Sequence, residues 1–215
     1  GIYTGRSAWI RRKGRFRSGK CMFRVPVSLL NSGMTWKAKS FIRLMASNKR
    51  LGRDFYLRDV LEVAPELLLK TLVMADGKGA MARYVITETE AYRGPEDKAC
   101  HASKGRTNRT EVMYHDGGRL YVYLVYGIHW MLNIVTGPSE NPQAALIRSV
   151  KDFTGPGRVT RALGIDRSFN GEDLVSSARI WIEDSGIATG YKTSERIGID
   201  YAGEYWKTRP WRYYL

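Results

Sequence analysis

Residues 84–92 alternate with a period of two, and that period constrains the chain most, because it admits an extended strand and excludes a helix. Ile86, Glu88, Glu90 and Tyr92 are placed on one face, and Val85, Thr87, Thr89 and Ala91 on the other. Gly94 and Pro95 end the run. Two carboxylates on one face lie roughly 7 Å apart, a separation that suits hydrolysis of a glycosidic bond through an intervening water. A solvated strand face whose acids await lysine partners is the equally open structural reading.

Further strands follow. Residues 119–125 put Tyr121 and Tyr123 on one face and Leu120, Val122 and Leu124 on the other, and Gly127 marks a reversal. Residues 130–135 read as the returning strand and 144–150 as the next. Residues 179–183, 195–199 and 210–214 read as closing strands. Between 59 and 73 the apolar positions recur at helical spacing, with Pro65 at a start or break. Gly155-Pro156-Gly157 opens a short helix over 158–163, whose free N–H groups serve either ordinary capping or a phosphate. These elements predict one α+β domain with a mostly antiparallel, curved sheet, local connections, flanking helices and a protruding β-hairpin.

Charge divides the chain unevenly. Residues 1–50 hold 13 of the 35 Lys and Arg and none of the 21 Asp and Glu, so they carry +13 of the net +14. This basic, acid-free segment reads as a disordered phosphate-gripping arm, an Arg-rich presequence, or sequence upstream of a natural start at Met45, the last being preferred. Residues 51–215 form the folded domain. No apolar run approaches the roughly 18 residues of a membrane span. The two cysteines, Cys21 and Cys100, form no C-x-x-C pair, which argues against zinc, iron–sulfur and dithiol chemistry. Cys100 is expected to fill core.

Tyr126 breaks the alternation of Tyr121 and Tyr123 beside Gly127. An aromatic at a hairpin tip either lies along its own sheet or serves as a wedge between base steps.

At this point the motifs converge. Glu-Thr-Glu-Ala-Tyr at 88–92, the Gly94-Pro95-Glu96-Asp97 turn, His101, Leu120-Tyr121-Val122-Tyr123 with Tyr126-Gly127, Asn133, Ala145-Leu146-Ile147-Arg148, and Arg196-Ile197-Gly198-Ile199 before Ala202-Gly203-Glu204 resemble the alkyladenine (3-methyladenine) DNA glycosylases, bacterial branch. The resemblance covers the chain from about Arg53 onward and not residues 1–50. It implies base excision repair, in which an alkylated or deaminated purine is flipped from the duplex and its N-glycosidic bond hydrolysed. Glu90 then matches the base that activates water, with Arg148 and the backbone carbonyl of Ile197 helping to hold that water. Tyr92, His101 and Tyr123 match the residues around the flipped base, Asn133 the residue that excludes guanine, and Tyr126 the intercalating wedge. Glu88 has no catalytic counterpart, so the dyad loses its second member.

No lysine matches a Schiff-base nucleophile, which implies a monofunctional glycosylase leaving an abasic site. The expected partner is double-stranded DNA containing damaged purines, met by a monomer in the bacterial cytoplasm at the nucleoid. No metal, cofactor or membrane is expected. Lys104, Arg106, Arg109, Arg158 and Arg161 are candidate phosphate contacts. The rival reading is a non-catalytic RNA- or DNA-binding β-domain with Tyr121, Tyr123 and Tyr126 as a stacking platform, which would have no use for an inward Glu90. A second rival, a sugar-directed glycoside hydrolase, would need Glu88 and Glu90 equally.

Overall fold

The structure is a computed structural model that describes residues 49–215. The basic segment expected at 1–50 lies outside the described residues, save its last two. These, Lys49–Arg50, form β1 and pair with Ile180–Asp184, β8.

The remaining strands are β2 (Thr71–Ala75), β3 (Met81–Arg93), β4 (Leu120–Val125), β5 (His129–Thr136), β6 (Gln143–Val150), β7 (Phe153–Thr154), β9 (Lys192–Ser194) and β10 (Arg212–Tyr214). The main order is β1-β8-β2-β3-β6-β5-β4, and every pairing among these strands is antiparallel. The helices are short: α1 (Arg53–Tyr56), α2 (Val60–Glu66), α3 (Pro156–Leu163) and α4 (Glu204–Lys207). An antiparallel sheet that does not close on itself, with few flanking helices, is the α+β arrangement expected.

Connections are less local than expected. The hairpins β2–β3, β4–β5 and β5–β6 are sequential, but β8 returns from the C-terminal half to cover β2. With 13 residues β3 outruns its partner, so β2 pairs with its first part and β10 with residues Glu88 to Glu90.

Two of the sequence-based elements are corrected. The helical pattern expected over 59–73 ends at Glu66, and Leu69 turns the chain with φ 63° before β2 begins. Leu72 and Val73 are both buried, so a strand covered on two sides looks continuous with the helix in apolar content. The strand expected at 195–199 lies at Lys192–Ser194 instead, because the following residues are drawn out of the sheet to reach buried partners described below.

The two faces of the sheet have different fates. Leu120, Val122, Leu132, Ile134, Ala145 and Ile147 point into the main core with residues of α2 and α3. Tyr121, Val135 and Ala144 point to the opposite face, where they pack with Cys100, Ala102 and Met113 from two 3-10 turns. Helix α3 lies close to β5: a Cβ on Gly157 would stand 2.9 Å from the His129 ring, so only glycine permits this approach.

The period of two in β3 is interrupted. Ile86 pairs with Val150, Glu88 with Ser149 and Thr89 with Ile147, which leaves Thr87 on β3 and Arg148 on β6 without Cα partners. These paired bulges re-aim the local side chains. Ile86 consequently faces the main core instead of sharing a face with Glu88 as expected.

Candidate active site

The second sheet face, opposite the main core, floors a cavity of about 530 Å³, within the roughly 300–1,000 Å³ typical of small-molecule pockets. Tyr92, His101, Tyr121, Tyr123 and Asn133 line it, with Arg148 and Ile197. Six strands and turns distant in sequence therefore deliver their residues to one place.

Glu90 lies beneath this lining and is 0% exposed. Its Oε1 accepts the Ile197 backbone N–H at 2.8 Å and faces Arg148 Nη1 at 3.2 Å. Its Oε2 accepts the Tyr92 hydroxyl at 2.9 Å. Burial raises the proton affinity of Glu90, and the contacts from Arg148, Ile197 and Tyr92 only partly offset it. The group of Ile197 that touches Glu90 is its N–H, whereas the resemblance assigned a role to its carbonyl.

Glu88 behaves differently although it lies two residues away. Burial acts to raise its proton affinity, yet hydrogen bonds from Ser149 and Arg212, together with the positive charges of Arg148 and Arg212, outweigh this and hold the carboxyl below its ordinary range. Arg148 Nε donates to it at 3.1 Å and Arg212 Nε at 2.6 Å. Arg148 therefore bridges both carboxylates from its bulged position. Two acids on one strand are driven in opposite directions, which separates their chemistry.

The aromatic residues cluster around the cavity. His101 and Tyr123 have ring centroids 4.6 Å apart, and His101 Nδ1 stands 2.9 Å from the Tyr121 hydroxyl. Burial, with the positive charge of Arg109 and Lys104, pushes the His101 pKa down to about 4, so the ring is neutral at physiological pH. Arg109 lies 5.0 Å over the Tyr123 ring. Asn133 is buried, and its side-chain N–H donates to the Tyr121 carbonyl at 3.1 Å. Cys100 is buried core, its thiol pushed up to about 12.

Tyr126 stands at the outer edge of this lining, at the tip of the β4–β5 hairpin, and is 90% exposed. Tyr126 and Gly127 have φ of 52° and 68°, and the Ile128 N–H closes the turn on the Val125 carbonyl at 3.1 Å. A positive φ at a bulky residue costs free energy, and such outliers gather at functional sites.

One buried residue had no role in the sequence reading. Arg196 forks onto Asp97 at 2.5 and 2.9 Å with both side chains 0% exposed, and lies between the Tyr92 and Trp211 rings at 4.9 and 5.0 Å. It anchors the backbone one residue before Ile197 and supports the back of Tyr92. Only its place in the 196–199 motif could have drawn attention to it. Among the phosphate candidates, Arg106 is engaged by Glu111 and Glu140, while Lys104, Arg158 and Arg161 are exposed.

Comparison with known proteins shows the family. The profile of the family described as methylpurine-DNA glycosylase (MPG) matches residues 54–154 and 151–215. A protein of Desulfitobacterium hafniense is 46% identical over 196 residues, covering 78% of this chain and 95% of its own. One of Methanocella arvoryzae is 42% identical over 184 residues, covering 76% and 91%, and one of Psychrobacter cryohalolentis 41% over 180 residues, covering 70% and 85%. All three are provisionally named 3-methyladenine DNA glycosylases. The chain belongs to the methylpurine-DNA glycosylase family. It is a DNA glycosylase, a hydrolase of base excision repair. Among the described residues no helix is long and apolar enough to cross a membrane.

Proposed function

We propose that the protein acts as a monomer on double-stranded DNA, at the bacterial nucleoid, flips out alkylated or deaminated purines, and hydrolyses their N-glycosidic bond with Glu90 as general base. The observation that carries this reading is the set of contacts on Glu90. A carboxylate offers about four lone-pair sites, and Ile197, Arg148 and Tyr92 occupy three of them. The remaining site, on Oε2, has no protein donor and is the one assigned to the attacking water, which reaches the buried carboxylate as the covering side chains part.

Tyr126 enters the base stack and the damaged nucleotide rotates into the cavity. Tyr92, His101 and Tyr123 surround the base; stacking on such rings is worth about 1–3 kcal/mol per base and tolerates many purines. Asn133 excludes the exocyclic amine of guanine. As the glycosidic bond lengthens, the sugar becomes oxocarbenium-like, and water attacks C1′ while passing a proton to Glu90. The Ile197 backbone carbonyl, with Arg148, orients that water. A cationic alkylated base leaves without acid assistance, whereas a neutral base such as hypoxanthine needs a proton or hydrogen bond. No lysine nucleophile takes part, so the product is an abasic site with an intact strand.

The test is base release from duplex oligonucleotides carrying 3-methyladenine, hypoxanthine or ethenoadenine in turn. Release of at least one, without strand scission, is expected; release of none would reject the assignment of damaged purines.

A further inference from the structure

The cavity has an apolar rim that the reading above leaves unused. Ile197 and Tyr201 line it, yet Ile197 is 50% and Tyr201 69% exposed, so both stand at its mouth. Tyr201 is not a loose surface side chain. Its hydroxyl donates to the Ala99 carbonyl at 3.1 Å, tying its 3-10 turn (Asp200–Ala202) to the segment that carries His101. The same turn is flanked by Gly198 and Gly203, with φ of 76° and 84°, and Asp200 is paired with Lys207 at 2.7 Å. The ring is thus held in a fixed place with much of its surface in water.

A flipped nucleotide puts its base deepest, among Tyr92, His101 and Tyr123, and C1′ must come within reach of the water on Glu90. The sugar then lies farther out than the base, beside the Ile197 backbone that touches Glu90. Beyond Ile199, which lines the cavity but is buried, Tyr201 is the next large side chain along this segment that both lines the cavity and is exposed. We infer that Tyr201 is a substrate-contact residue whose ring covers the deoxyribose of the extruded nucleotide, while the base is held by other residues. This rests on the glycosylase reading and adds a sugar subsite to it. An aromatic body with a tethered polar end suits such a place, since a sugar presents both C–H surface and oxygen.

The prediction separates sugar from base. Tyr201→Ala is expected to raise KM for lesion duplex and to weaken binding of abasic-site duplex by a similar factor, roughly tenfold, or 1.4 kcal/mol. Inhibition by free hypoxanthine or free 3-methyladenine is expected to keep its wild-type constant, because neither carries a sugar. Tyr201→Phe, which keeps the ring, should retain most of the affinity that the alanine variant loses. Abasic-duplex affinity equal to wild type in Tyr201→Ala would overturn the sugar subsite. Equal loss for free base and abasic duplex would also overturn it, by moving Tyr201 into the base pocket. Failure of the wild-type protein to release any damaged purine would instead count against the function itself. Circular dichroism melting of each variant checks that folding is intact, as expected for a substitution at an exposed ring.

Discussion

Arg148 Nη1 stands 3.2 Å from Glu90 Oε1, and Arg148 is the one residue of β6 between Ile147 and Ser149 that has no Cα partner on β3. The bulge brings its guanidinium over the strand to the carboxylate, and Glu88 holds the other side of the fork. Replacing Arg148 by Gln is expected to lower single-turnover base release by about 100-fold, the scale for loss of one preorganised charged contact. It is also expected to move the acidic limb of the rate profile to higher pH, because Arg148 is the largest influence opposing protonation of Glu90.

The pH dependence follows from Glu90 in the same way. The base must be ionised to accept a proton, and burial raises its pKa above the usual 4.5. Activity is therefore full above that raised value and is lost as pH falls through it. His101, pushed down to about 4, stays neutral across the range where the enzyme works and adds no limb near neutrality. A rate profile whose acidic limb lies below 4.5 would contradict this assignment.

Glu88 shares Arg148 but is held by Ser149 and Arg212 as well, contacts that keep its carboxyl below the ordinary range and make it a poor proton acceptor. Glu88→Gln is expected to cost about tenfold or less in base release, against roughly 10²–10⁴-fold for loss of a general base at Glu90. Equal losses at the two positions would restore the two-carboxylate mechanism of a glycoside hydrolase.

At the hairpin tip, function and stability are expected to part. Tyr126 pays for a φ of 52° with a side chain that is almost wholly exposed. Tyr126→Gly removes the steric cost of about 1–2 kcal/mol at a left-handed position, so the melting temperature should hold or rise. Binding to lesion duplex should weaken, and more than binding to the corresponding nucleoside. Equal weakening for both ligands would remove the wedge role.

Much of this fold can be read from residue periodicity, and part of it cannot. The opposition of Tyr121 and Tyr123 to Leu120 and Val122 marks the two faces of β4 correctly, because each face meets a different environment. The positive-φ turn at Tyr126-Gly127 is likewise visible, since glycine marks it. The paired bulges at Thr87 and Arg148 leave no trace in the alternation, for the extra residue on one strand is compensated on the other. The Asp97–Arg196 pair spans 99 residues, and no local pattern joins its members. The shift of β9 follows from it: Arg196 and Ile197 leave the sheet to reach Asp97 and Glu90.

That buried pair carries its own expectation. Asp97→Asn leaves the Arg196 guanidinium without its counter-charge in a site where both side chains are fully buried. Breaking one partner of such a pair costs about 3–5 kcal/mol, which corresponds to a fall in melting temperature of roughly 10 °C for a domain of this size. Thermal denaturation at neutral pH reads this directly, and an unchanged midpoint would show that the pair is dispensable.

The most direct test of the central claim is to measure duplex binding and single-turnover base release together in Glu90→Gln, on DNA carrying one 3-methyladenine or hypoxanthine. Affinity close to wild type with release reduced by at least about 100-fold is the predicted result. Base release at the wild-type rate would show that Glu90 is not the general base.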